Sequence, residues 1–95
     1  MKAGTTSTGF HYEFDEARAD DMRFVELIVT SMDENASEFD KLAAVSKIIV
    51  LLLGEEQKKA LFEHIGKSYD GRVPFVELNK ALTEIMQGGG DAVKN

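Results

Sequence analysis

Apolar residues recur along this chain at helical spacing in several stretches and at alternating spacing in one. Phe10, Tyr12 and Phe14 alternate with His11 and Glu13. Alternate residues of an extended chain share a face, so this pattern predicts a short strand with an aromatic side. No second clear strand is evident to pair with it. It is therefore expected as an extended aromatic arm that lies on the helices, pairs with a few residues near Arg72-Val73, or meets the sheet edge of a partner. Residues 1–9 are small and polar and are predicted to form a mobile lead.

Helical periodicity starts after Asp15. The acids Asp15, Glu16, Asp20 and Asp21 stand where a helix N-terminus favours negative charge. Met22, Val25, Ile28, Val29 and Met32 then recur at three- and four-residue spacing, which predicts one inward apolar face. Ser37 opens a second helix, with its hydroxyl placed to cap the first turn. Its stripe is Phe39, Leu42, Val45, Ile48, Ile49 and Leu52. Val50, Leu51 and Leu53 widen that stripe until the last two turns are apolar all round, the mark of a segment buried on every side. Gly54 stops it. A third helix runs from Glu55-Glu56 to Gly66 with Leu61, Phe62 and Ile65 inside. Asp70-Gly71 is a turn signal, and Pro74 introduces a fourth helix with Phe75, Leu78, Leu82 and Ile85 at intervals of three, four and three. The expected fold is mainly α: a four-helix domain over residues 10–87 with a short N-terminal extended arm, and a flexible tail over residues 88–95.

Composition fits that outline and narrows the function. The chain has 95 residues, 43% hydrophobic and 29% charged, which suits one small globular core. The net charge of −6 and the scattered lysines and arginines argue against nucleic acid, whose binding rests on clustered basic side chains. There is no cysteine, so thiol chemistry and thiolate metal sites fall away. The first residues carry no apolar run of a signal peptide. The longest apolar run, Ile48 to Leu53, is far shorter than the roughly 20 residues that cross a bilayer. A soluble intracellular protein with no membrane partner is expected.

Candidate chemistry is sparse. His11 and His64 are the only histidines and lack the paired ligand spacing of a zinc site; His64 is expected as a solvated surface side chain. The acidic pairs Asp20-Asp21 and Glu55-Glu56 sit at helix starts, where the dipole accounts for them. No catalytic residue, cofactor or metal is therefore assigned. One stretch imitates an ion site: with Gly71 as the loop glycine, Asp70 and Glu77 take the fifth and twelfth positions of an EF-hand loop. Gly66 and Ser68 then stand at positions one and three, where calcium needs carboxylates. The last two helices are expected to form an EF-hand-like helix–loop–helix without the function of one.

The run Leu51-Leu52-Leu53-Gly54-Glu55-Glu56-Gln57-Lys58-Lys59-Ala60-Leu61, with Glu63-His64 and Asp70-Gly71-Arg72-Val73-Pro74, resembles small tail assembly chaperone-like proteins of long-tailed phages and prophages of Gram-positive bacteria. So does the front, Thr5 to Phe10 and on through Tyr12-Glu13 to Asp20-Asp21-Met22. The resemblance spans roughly residues 5–87. It implies a non-enzymatic protein of the bacterial host cytoplasm. Such a protein binds the tape measure protein and helps tail tube protein subunits assemble around it.

Surplus apolar surface on a small protein marks an interface. The expected partner-binding residues are Phe10, Tyr12 and Phe14 of the arm, with a groove bordered by Ile48, Ile49 and Leu52 of the second helix and Leu78, Leu82 and Ile85 of the fourth. Asp40, Glu77 and Glu84 are expected around that groove. Two other readings stand beside this one: a degenerate EF-hand-like regulatory module, and a homo-oligomer subunit whose surplus hydrophobics meet a second copy.

Overall fold

The computed structural model of the chain describes residues 1–88. Two short strands, β1 (Lys2–Thr5) and β2 (His11–Phe14), precede a 3₁₀ turn over Glu16–Asp20 and four helices. The helices are α1 (Met22–Met32), α2 (Glu38–Leu53), α3 (Glu55–Gly66) and α4 (Phe75–Met86). The tail expected from Gly88 onward lies, apart from Gly88 itself, outside the described residues.

The expected lone arm is half of a hairpin. β1 and β2 pair antiparallel, with Lys2 opposite Phe14 and Thr5 opposite His11. Thr6 and Phe10 continue the pairing beyond the strands, and Ser7, Thr8 and Gly9 form the loop between them, Gly9 at φ +96°. Its amide donates to the Thr6 carbonyl at 2.9 Å, and the Thr6 amide donates to Phe10 at 2.9 Å. A three-residue connection ending in a left-handed glycine is a standard hairpin solution. The residues expected to be a mobile lead thus supply a strand and its turn.

The aromatic face of β2 is core. Phe10, Tyr12 and Phe14 are 6%, 4% and 8% exposed and join one cluster with Ile48, Ile49, Leu52, Leu61, Leu82 and Ile85. The rings of Tyr12 and Phe14 stack with centroids 6.2 Å apart. Gly4, opposite Tyr12, has no side chain because the tyrosine ring takes its place. A Cβ there would stand 2.5 Å from the Tyr12 hydroxyl oxygen and 2.9 Å from Cζ. Gly4→Val is therefore expected to displace the ring and cost about 1–3 kcal/mol through overpacking. Chemical denaturation checks this, and an unchanged midpoint would contradict it.

The predicted first helix breaks in two. Asp15 caps the 3₁₀ turn by accepting from the Ala17 amide at 3.0 Å, and Asp21 caps α1 by accepting from the Arg23 amide at 2.8 Å. Asp21 holds extended backbone angles, φ −81° and ψ 131°, so no helix runs through it. α1 also turns its other side inward. Phe24 is buried and Leu27 and Ile28 pack on the core, while Met22, Val25, Val29 and Met32 are exposed.

α2 is the central element, but its last two turns are not buried on every side as expected: Val50 and Leu51 are half-buried and line a furrow bordered by α1 and α3. Ala44, Val45, Ile48, Ile49, Leu52 and Leu53 are buried. Ser37 caps it, its hydroxyl accepting from the Asp40 amide at 3.0 Å, and Gly54 ends it. α3 ends at Gly66, whose carbonyl accepts from both Tyr69 and Gly71. Asp70 there adopts φ +57°, the left-handed residue that closes a helix C-terminus. Among the described residues no helix is long and apolar enough to cross a membrane.

Candidate partner-binding groove

Two places among the described residues gather side chains that could form a site. The first is polar. The hairpin turn is fastened to α4 through Ser7, whose amide and hydroxyl both donate to the Glu84 carboxylate at 2.6 and 2.7 Å. It is fastened to α3 through Thr8, whose hydroxyl lies 3.1 Å from His64 Nε2, with the Thr8 carbonyl 3.2 Å from the same nitrogen. The His64 ring also packs against Phe10 with centroids 5.7 Å apart. His64 is thus a half-buried clamp, not the solvated side chain expected. The serine meets a carboxylate and the histidine meets a different hydroxyl. These groups are spent on holding the hairpin down.

Gln57 adds a third clamp. Its side-chain carbonyl accepts from the Glu13 amide at 2.9 Å and its side-chain nitrogen donates to the Glu13 carbonyl at 2.7 Å. The amide of one side chain so imitates a neighbouring strand along β2. Glu77, expected at the twelfth position of an EF-hand loop, is turned to the Tyr69 hydroxyl. That hydrogen bond, with desolvation and the nearby charge, raises the phenol pKa. Among the described residues, no three His, Asp or Glu side chains gather as metal ligands would.

The second place is apolar. α1, α2 and α4 enclose a groove of about 470 Å³. Val45, Ile48 and Leu82 form its buried floor. Its walls carry large side chains that water still reaches: Met32 is 74% exposed, Met86 43%, and Leu42 and Phe75 40% each. The hydroxyls along it are already used, Ser31 donating to the Ile28 carbonyl at 2.8 Å and Thr83 to Asn79 at 2.9 Å. A ligand would therefore meet mostly hydrocarbon and thioether. Methionine walls adapt to irregular apolar anchors because the side chain is unbranched and polarisable.

The expected groove and this one share α2 and α4 but few residues. Ile48 and Leu82 lie in it. Ile49, Leu52, Leu78 and Ile85 do not, because they face the core centre and are nearly or wholly buried. Phe10, Tyr12 and Phe14 are likewise core and out of a partner's reach in the folded chain. Glu77 and Glu84 stand with Tyr69 and Ser7 around a different cleft, so the groove's charged lining reduces to Glu38 and Lys41. Sequence reasoning missed Met32, Leu42, Phe75 and Met86 as groove walls, because exposed and buried apolar residues look alike in a periodic pattern. Comparison of the chain with protein-family models, with curated proteins and with solved structures finds no significant match to any of them.

Proposed function

We propose that this chain is a non-enzymatic tail assembly chaperone of a long-tailed phage or prophage. In this reading it acts in the bacterial host cytoplasm, binding a helical segment of the tape measure protein while tail tube protein assembles around that client. The observation that carries a binding role is the groove between α1, α2 and α4, where Met32, Leu42, Phe75 and Met86 stay exposed above an apolar floor. Amphipathic helices dock in such grooves through anchors at three- and four-residue spacing. The identity of the client rests on the resemblance of the runs around Leu51–Leu61 and Asp70–Pro74 to tail assembly chaperone-like proteins.

Co-expression with a tape measure protein encoded beside it is the test. The chain is expected to keep that client soluble and to co-purify with it. Leu42→Ser with Phe75→Ser is expected to abolish co-purification while costing about 2–4 kcal/mol of stability, less than full burial would cost because each side chain is 40% exposed; circular dichroism checks that the variant stays folded. A client equally insoluble with and without the chain, or a complex indifferent to the double substitution, would sink the proposal.

A further inference from the structure

α1 has two apolar sides, and the fold uses one. On the outer side Met22, Val25, Val29 and Met32 follow one another at intervals of three, four and three, with Met22 64% and Val29 61% exposed. That is the spacing of the seam positions of a heptad, which set a row of knobs along one side of a helix for a second helix to lie against. Only Met32 also belongs to the groove; Met22, Val25 and Val29 lie outside its lining.

Charge selects the occupant. Glu26 lies beside the row, Asp20, Asp33 and Glu34 lie at its two ends, and no lysine occurs between Lys2 and Lys41. The one base of the helix, Arg23, is spent on Asp21: its Nη2 lies 2.6 Å from the carboxylate. That pairing, with the cap bond from the Arg23 amide, holds the Asp21 carboxyl down at about 2. Lys47 and Lys58 stand across the furrow that Arg23 and Glu26 share with α2 and α3, off the row itself. A second copy laid on α1 would bring Glu26 and Asp33 against the same acids, and like charges at helix edges repel.

We infer that the outer face of α1 is a second docking seam, taken by an amphipathic helix of another protein whose apolar heptad row is bordered by lysine or arginine. This goes beyond the groove and does not depend on the groove's client. Apolar contact along the row supplies affinity, and the acidic border supplies orientation and a preference for basic partners.

The experiment uses the full chain and a labelled three-heptad peptide with leucine at the seam positions and lysine at the flanking ones. Fluorescence anisotropy is expected to show saturable binding that weakens as salt rises. Val25→Ser with Val29→Ser should weaken it about tenfold or more, and Leu42→Ser in the groove should leave it unchanged. Should the double variant prove poorly folded by circular dichroism, Glu26→Lys serves instead. It is expected to weaken the lysine peptide and to strengthen one with glutamate at the flanking positions. No saturable binding would overturn the inference, and so would a scrambled lysine peptide that binds as well. Loss of binding through Leu42→Ser alone would place the peptide in the groove. A dimer in sedimentation velocity that the Val25/Val29 substitutions dissolve would give the seam to a second copy. Either result overturns the proposed occupant.

Discussion

Replacing Phe10 and Tyr12 together with alanine is expected to unfold the chain. Each ring is buried in the one core cluster, and truncating a buried aromatic costs about 3–5 kcal/mol. The whole stability of a domain this size is about 5–15 kcal/mol. Two such losses in adjacent sites approach or exceed it, and the hairpin clamps at Ser7, Thr8 and Gln57 lose the surface they press on. Circular dichroism at room temperature is the check, with loss of helix as the expected outcome. Phe39→Ala is the control, because Phe39 is 78% exposed and its loss should stay within about 0.5 kcal/mol. A double variant that melts like the parent would show that the hairpin contributes nothing to the helical core.

Leu52→Ala should give the next largest effect. Leu52 is 1% exposed, in the part of α2 that the hairpin and the other helices surround. Lost transfer energy and the cavity left behind together cost about 2–5 kcal/mol. For a domain of this length that lowers the melting temperature on the order of ten to thirty degrees. A fall of only a few degrees would mean that neighbours collapse into the space, and that α2 is less central than its burial implies.

The elements that could be read from the sequence are those whose pattern had one solution. The last two turns of α2, apolar on every side, read as a buried helix, and Ile48, Ile49, Leu52 and Leu53 are buried while Val50 and Leu51 are only half-buried. The Phe75, Leu78, Leu82 and Ile85 row gives α4 with its inner face correct at Leu78, Leu82 and Ile85. The expected inner face of α1 held only at Ile28, because the helix offers two apolar rows at helical spacing, Met22-Val25-Val29-Met32 and Phe24-Leu27-Ile28. Periodicity cannot choose between them; the packing against α2 does. β1 was invisible for another reason. Lys2-Ala3-Gly4-Thr5 holds almost no strand-forming side chains, since Gly4 must be bare to admit the Tyr12 ring. The Thr6-Ser7-Thr8-Gly9 turn was the one available clue that the aromatic strand has a partner upstream. The groove could not be located at all, because its walls depend on where three helices stop covering one another.

The Gln57 amide bears on what happens when two of these chains meet through their strands. A two-stranded sheet has two edges, and growth into a filament needs both, one to receive a strand and one to offer the next. Along β2 the outward backbone groups of Glu13 are already taken by a side chain anchored on α3. A strand adding along β2 at Glu13 must first displace the Gln57 side chain, whereas the outer edge of β1 carries no such plug among the described residues, so edge-to-edge pairing of two chains is biased toward β1.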